Sequence, residues 1–191
     1  MSNNIDFYFD VISPYAYIAY KKIATYKKII FNYKPIFLGG LHNLTNITPP
    51  AFNKFKMKNM KNDCNIIAKK NNIEFNWNSK FPINSLHIMR GYLYVNEDKK
   101  KDYLHYFFEA YWRDNKDLSN KENIINILDL LKIDNSLFFN SINKKKIKNK
   151  LIKLTNDAFE KEIFGTPTFI INNKIFWGQD RLEYALEEIN N

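Results

Sequence analysis

The chain has 191 residues, and its 45% apolar fraction includes 16 Phe and 12 Tyr, which is enough for one domain with a sizeable core. The formal net charge is +9, yet only three of its 29 basic residues are arginines, so nucleic acid, which proteins bind with arginine forks, is not the expected partner. No run of eighteen apolar residues occurs and the first residues lack a secretory pattern, so we expect no membrane span and a cytoplasmic location.

The positions of the cysteine, the histidines and the lysines limit which kinds of functional site the chain can contain. The single cysteine, Cys64, excludes an internal disulfide and fits a reducing compartment. Because His42, His87 and His105 lack metal-ligand spacing, we assign them structural roles and expect no metal site. The lysine-rich residues 144–153 follow an amphipathic helical pattern, which indicates a solvated helix face.

The chain begins with a β-α-β pattern. Residues 5–11 form an apolar, strand-like run, and Pro14 suits the first position of a helix that Ser13 caps. Helical apolar spacing continues to about Phe31, and residues 32–38 indicate a second strand that two glycines close. This order predicts two parallel strands joined by a right-handed crossover.

Strand signals nearly vanish over residues 41–164, which we interpret as an all-helical insertion domain. The predicted helices span residues 57–72, 84–96, 102–112, 121–131, 134–141 and 142–164. The predicted start signals among them are Ser119, Asp134 and Ser141. Residues 1–40 and 165–191 are therefore expected to form one discontinuous α/β domain around this insertion.

The residue pattern near the end of the chain predicts a β-hairpin followed by a helix. Residues 167–172 indicate a strand, the Asn172-Asn173 pair a tight turn, and residues 174–177 the partner strand. Gly178-Gln179-Asp180 precedes a last helix whose apolar face consists of Leu182, Ala185, Leu186 and Ile189.

The first turn and the distant Thr166-Pro167 pair are together typical of a thioredoxin-like site. Redox members of that fold carry two cysteines spaced Cys-x-x-Cys in this turn, whereas this chain has Ser13 and Ala16 there. We therefore reject a thiol–disulfide oxidoreductase and expect the thiol to come from a ligand. A serine hydrolase is disfavoured because no Gly-x-Ser-x-Gly elbow surrounds Ser13.

Four segments carry a more specific resemblance. Residues 9–17 read Phe-Asp-Val-Ile-Ser-Pro-Tyr-Ala-Tyr, and residues 37–50, 81–90 and 164–182 follow in matching order. Together they resemble 2-hydroxychromene-2-carboxylate isomerases and kappa-class glutathione transferases, the glutathione-using, DsbA-like branch of the thioredoxin superfamily. The resemblance spans nearly the whole chain and implies a thioredoxin-like α/β fold with a large helical insertion. It also implies glutathione as cofactor and a homodimer.

Ser13 is the candidate catalytic residue. Free thiols have a pKa near ~8.5, and the N-terminus of a helix favours an anion. A hydroxyl that donates a hydrogen bond to the ligand's sulfur also favours the thiolate. Pro14 would set the turn, and Tyr15 is a further candidate for cofactor binding. The alternative is that Ser13 only caps its helix.

The resemblance implies further glutathione contacts. Pro167 is expected to be cis, with the Thr166 backbone paired to the cysteinyl backbone of glutathione. Gln179 and Asp180 are expected to bind the γ-glutamyl end, although an Asp at a helix start is often only a cap. Lys56 matches a position near the glycyl end, with an ordinary surface lysine as the alternative.

An acceptor pocket is expected beside the thiol. Asn84, Arg90 and Trp177 are its predicted walls, although Arg90 could equally tie two helices together. Ile47 departs from the family pattern, since relatives often carry Asn there. Asn46, one position away, could replace that contact if the loop shifts.

The implied activity is a glutathione-dependent cis–trans isomerisation of a small aromatic acid, as in the breakdown of aromatic compounds. In this chemistry the thiolate adds reversibly to a conjugated acid, the former double bond rotates, and elimination returns the thiol. Two alternatives stay open: a kappa-like transferase or peroxidase, and a non-catalytic binding protein on the same scaffold.

Overall fold

A computed structural model describes residues 4–190, in which four strands form one sheet of order β2-β1-β3-β4. The strands are β1 (Asn4–Phe9), β2 (Ile30–Pro35), β3 (Thr168–Ile171) and β4 (Lys174–Trp177). β1 pairs parallel to β2 and antiparallel to β3, which in turn pairs antiparallel to β4. The predicted parallel β-α-β start and the C-terminal hairpin are both confirmed.

Helix α1 (Pro14–Ile23) connects the two parallel strands. Ser13 is its N-cap and Pro14 its first residue, as predicted. The helix ends at Ile23 and not near Phe31, because Phe31 belongs to β2 and pairs with Ile5 of β1. The helical spacing after Ile23 was therefore misleading, and sheet pairing determines the structure there.

Seven helices lie between β2 and β3 in the described part of the chain. They are α2 (Leu38–Thr45), α3 (Lys54–Lys70), α4 (Leu86–Tyr94), α5 (Glu97–Trp112), α6 (Lys121–Leu130), α7 (Asn135–Ile142) and α8 (Lys145–Glu160). Six were predicted within a few residues, and Asp134 caps α7 as expected. Ser119 and Ser141 do not cap helices, since Asn120 and Lys144 occupy those positions.

Helix α2 was not predicted, because Gly39 and Gly40 were interpreted as the end of a strand. The structure places both inside the helix, against the ring of Phe37. A Cβ at either glycine would lie 2.9 Å from that ring, so the glycines are required for close packing and not for a turn.

After β3, Asn172 and Asn173 adopt positive φ values of 48° and 59°, which confirms the tight turn. A short 3₁₀ turn (Gln179–Arg181) leads into α9 (Leu182–Glu187), and a second turn (Glu188–Asn190) follows. The predicted last helix is therefore shorter than expected, with Ile189 in the final turn.

The core joins the sheet to the helical block through aromatic rings. Phe7 stacks on Phe169 across the sheet, while Phe9 contacts Phe108 of α5. The Trp112 indole N–H donates to the Val11 carbonyl over 2.8 Å, which ties the end of α5 to the turn after β1. Among residues 4–190, no helix has the length and apolar character needed to cross a membrane.

Candidate active site

Ser13 lies between the end of β1 and the start of α1, and its hydroxyl makes two hydrogen bonds. Its Oγ accepts the Ala16 N–H at 3.2 Å, which is the capping bond. The same hydroxyl donates to the Thr166 carbonyl at 2.9 Å, across 153 positions of sequence. These two bonds hold the start of α1 against the segment that enters β3.

Thr166 and Pro167 form the other side of this contact. The peptide bond between them is cis, as the resemblance implied. The Thr166 side chain is buried, and its Oγ1 has no hydrogen-bond partner among residues 4–190. An unpaired buried hydroxyl is unfavourable in the free protein, and a ligand that gave it a hydrogen bond would remove this cost.

Asp10 is a buried carboxyl directly before this turn, and it was predicted only as part of the family signature. It accepts the backbone N–H groups of Ile12 at 3.1 Å and Leu38 at 2.8 Å, and the Ser85 hydroxyl at 2.9 Å. Burial raises the pKa of Asp10 to about 6, although these three donors oppose the shift. The carboxylate thus connects the turns that follow β1 and β2 with the segment before α4.

A cleft of about 1110 Å³ opens over the Ser13–Thr166 contact. The predicted site residues that line it are Ser13, Pro14, Tyr15, Lys56, Asn84, Thr166 and Trp177. The other lining residues are mostly apolar or aromatic and come from α2, α3 and the segments around Pro49 and Phe81. The structure therefore brings seven of the proposed contacts together around one cavity.

Several of these side chains are already held by protein contacts. The Tyr15 hydroxyl donates to Asp63 of α3 at 2.8 Å, and burial together with this bond raises the pKa of Tyr15. Asn84 uses its Oδ1 to accept the Leu86 N–H at the start of α4. Trp177 is 52% exposed and packs on Phe164, with their ring centroids 4.8 Å apart.

Gln179 and Asp180 do not line the cleft. Gln179 is buried, and its Oε1 has no hydrogen-bond partner in the described part of the chain. Asp180 is exposed beside Arg181, with 3.5 Å between their charged atoms. Its negative charge also contributes to the raised pKa of Tyr15, which places Asp180 in the neighbourhood of the first turn of α1.

Arg90 was expected in the acceptor pocket, but it is not among the residues that line the cleft. The residue lines a separate cavity of about 210 Å³ together with residues of α2 and α8. Lys148 of α8 lines this smaller cavity as well, whereas Asn84 lines the cleft. The cavity that Arg90 lines depends on how α4 packs against α8, which the sequence does not specify.

Some lining residues were not predicted. His42 lines the cleft, and burial lowers its pKa. Phe52 and Phe55 lie at the mouth and are 73% and 82% exposed. The sequence did contain a signal for these two residues: two aromatic side chains flank the polar start of α3, shortly after a pair of prolines. Ile47 also lines the cleft, whereas Asn46 ends α2 with φ of 55° and is absent from the lining, so it does not replace the doubtful contact.

Comparison with known proteins agrees with the fold. The model of the DSBA-like thioredoxin domain matches residues 4–190. The chain is 22% identical over 189 residues to the 2-hydroxychromene-2-carboxylate isomerase of Sphingobium xenophagum, covering 96% of each protein. It is 27% identical over 200 residues to glutathione S-transferase kappa 1 of Caenorhabditis elegans, covering 93% of this chain and 86% of the relative.

Among solved structures, a 2-hydroxychromene-2-carboxylate isomerase matches with a TM-score of 0.87 and 24% identity, covering 98% of this chain and 94% of that chain. This likeness confirms the DsbA-like thioredoxin fold with its helical insertion. The chain therefore belongs to the family of DSBA-like thioredoxin domains, and within that family it is similar in sequence to both an isomerase and a kappa-class transferase.

Proposed function

We propose that the chain is a glutathione-dependent cis–trans isomerase of the 2-hydroxychromene-2-carboxylate type, acting on a small aromatic acid. One observation carries the proposal: the Ser13 hydroxyl lies at the N-terminus of α1, 2.9 Å from the Thr166 carbonyl, in the wall of a large cleft. The relatives named isomerase and glutathione transferase support the same class of chemistry.

The residues present fit glutathione. One expected contact that lines the cleft, Thr166, carries a buried hydroxyl with no partner among residues 4–190. Such a group is unfavourable unless a ligand supplies a hydrogen bond. The cleft of about 1110 Å³ lies at the upper end of small-molecule sites, so a tripeptide and an aromatic acid have room together.

When bound, glutathione would supply the thiol that adds reversibly to the conjugated double bond of the acid. Ser13 would supply the hydroxyl proton that forms a hydrogen bond to the ligand's sulfur. Rotation about its Cβ–Oγ bond turns the hydroxyl from the Thr166 carbonyl toward the cleft, while Oγ still accepts the Ala16 N–H. The hydroxyl and the positive end of α1 then both favour negative charge on a ligand sulfur.

Other residues would orient the ligand and exclude water. Thr166 offers its backbone and its unpaired hydroxyl, and the Lys56 ammonium lies at the exposed mouth, where it can attract a carboxylate. Asp10 acts at a distance from the ligand by fixing the turns that form the cleft floor. The apolar walls reduce the local dielectric, which strengthens each of these interactions.

The test is an isomerisation assay with an aromatic ring-opened acid, with and without glutathione. We expect rapid isomerisation only when glutathione is present, while the total concentration of free thiol stays constant. A rate that is independent of glutathione would overturn the proposal.

A kappa-like transferase or peroxidase is the second candidate, favoured by the relative from Caenorhabditis elegans. It would use the same Ser13 and the same cleft with another electrophile. An aryl halide assay separates the two candidates, because conjugation consumes one thiol per product whereas isomerisation consumes none.

A further inference from the structure

A second cavity lies outside the cleft, between α2, α4 and α8. It has a volume of about 210 Å³, and its walls include the apolar side chains of Leu44, Leu86, Leu151 and Ile152. Two cations, Arg90 and Lys148, also line it, and no acidic residue does. The cavity is open to solvent, since Leu44 and Ile152 are 41% and 56% exposed, and Arg90 and Lys148 are both only partly buried.

Arg90 lacks a counter-ion in the described part of the chain. No carboxylate there lies within ion-pair distance of its guanidinium, and its Nε is buried without a hydrogen-bond acceptor. Burial lowers the pKa of Arg90, with no acidic neighbour acting in the opposite direction. A buried donor without an acceptor is unfavourable, and an anion bound at this partly exposed guanidinium would give Nε an acceptor.

The positive charges of Arg90 and Lys148 also act on a neighbouring group. His87 lies one turn before Arg90 on α4, and its pKa is lowered by burial and then by the charges of Arg90 and Lys148. The other polar lining groups, Thr155 and Asn156, are neutral. Every charged group that faces this cavity therefore has the same sign, so the cavity selects against cations and favours a negative ligand.

We propose that this cavity is a second binding site, for a small carboxylate with an apolar body, whose carboxylate group binds Arg90 and Lys148. A guanidinium fork matches a carboxylate with two parallel hydrogen bonds. Leucine and isoleucine walls accept the hydrocarbon part, and a cavity of about 150 Å³ already holds benzene in another protein. The available volume therefore suits a single ring or a short alkyl chain.

The site is separate from the cleft but shares one wall with it. Phe37 lines both cavities, and its backbone N–H donates to the Thr155 hydroxyl of α8 at 3.0 Å. The glycines of α2 pack against the same ring. A ligand in the small cavity would thus contact a side chain of the cleft wall without occupying the cleft.

The test uses the full chain, labelled with ¹⁵N, titrated with benzoate and separately with hexanoate. We expect saturable amide shifts around Arg90 and Leu151 with a dissociation constant on the order of 1 mM for at least one of the two acids. The acid that binds more tightly identifies an aromatic or an alkyl ligand. Benzamide, which has the shape of benzoate without its charge, should bind at least about tenfold more weakly.

Variants locate the site. Arg90→Met should weaken binding by about tenfold or more, since it removes a charged hydrogen-bond donor. Lys153→Met is the matched control on α8, because Lys153 is exposed and pairs with Asp157, and it should leave the affinity unchanged. Leu44→Trp keeps both cations but fills the cavity, so it should also abolish binding and serves if Arg90→Met does not fold.

Two results would overturn the proposal. One is the absence of saturable shifts with either acid. The other is binding that persists in both Arg90→Met and Leu44→Trp, with shifts confined to residues of the cleft such as Ile12 and Trp177. Neither result bears on glutathione, so the isomerase proposal is tested independently.

Discussion

The floor and the mouth of the cleft are built differently. On the floor, Asp10, Ser13 and Thr166 are almost fully buried and hydrogen-bonded across distant parts of the chain. At the mouth, Phe55 and Trp177 are 82% and 52% exposed. A floor that is fixed before a ligand arrives can stabilise charge with no more rearrangement than rotation of the Ser13 hydroxyl, whereas exposed side chains at the mouth mainly contribute binding. Substitutions on the floor should therefore change kcat, and those at the mouth should change KM.

The largest effect is expected for Ser13→Ala. Removing a hydrogen-bond donor from a developing negative charge lowers kcat by about 10²–10³-fold. Loss of the helix cap also reduces the free energy of unfolding by about 1 kcal/mol. Isomerisation at saturating glutathione measures the first effect, and chemical denaturation the second.

Ser13→Thr retains a hydroxyl and a cap, so it should recover part of the rate. Ser136→Ala, on the exposed surface of α7, is the matched control and should change neither quantity. If Ser13→Ala loses stability but keeps its full kcat, Ser13 is only a cap.

The next effect concerns Asp10 and pH. Its pKa is raised by burial from 3.8 to about 6, so the folded state keeps a proton over a range in which the unfolded chain has lost it. The associated stability is fully present below the unfolded pKa and is lost as the pH rises through about 6, by an amount on the order of 3 kcal/mol.

Denaturant unfolding of the wild type and Asp10→Asn between about pH 4 and 7 measures this contribution. The difference between the two curves should vary with pH across that range. Asp157→Asn, on the exposed face of α8, should show no comparable difference. A wild-type curve parallel to that of Asp10→Asn would show that the carboxyl has an ordinary pKa.

A smaller effect is expected for Thr166→Val. The lost hydroxyl has no protein partner in the described structure, so the free energy of unfolding should stay constant or rise by up to about 1 kcal/mol. Glutathione affinity, measured by calorimetry, should fall by about tenfold. Thr168→Val is the matched control: its hydroxyl donates to the Gly165 carbonyl at 2.7 Å, so this variant should lose stability instead. Unchanged glutathione affinity in Thr166→Val would remove Thr166 Oγ1 from the proposed contacts.

The smallest effect is expected at the mouth. Lys56→Met should raise the KM for glutathione by about threefold and leave kcat unchanged, because an exposed charge contributes little to binding in water. Lys58 lies on the same helix but does not line the cleft, so Lys58→Met should change neither KM nor kcat. A fall in kcat for Lys56→Met would show that the contrast between floor and mouth is wrong.

Local signals in the sequence were sufficient where neighbouring residues decide the structure. The cap at Ser13 and the turn at Asn172 both follow from side-chain chemistry within a few positions. Helix α2 could not be predicted in this way. The N–H of Leu38 at its start donates to Asp10, which lies 28 positions earlier in the chain.

The residues of the candidate site also fall into those that local motifs predict and those that depend on the fold. Ser13 and Thr166 were identified from their motifs, and the structure places them in contact. Asp10 was part of the signature, but its role depends on donors from three segments that only the fold brings together. Arg90 lines the smaller cavity, which the sequence did not indicate, because the rotation of α4 against α8 is a property of tertiary packing.

The most direct measurement is the pKa of the glutathione thiol in the complex, followed by thiolate absorbance during a pH titration. We expect a pKa well below the ordinary value near ~8.5 with the wild type, and a return toward that value with Ser13→Ala. A bound thiol that titrates like free glutathione in the wild type would contradict the account.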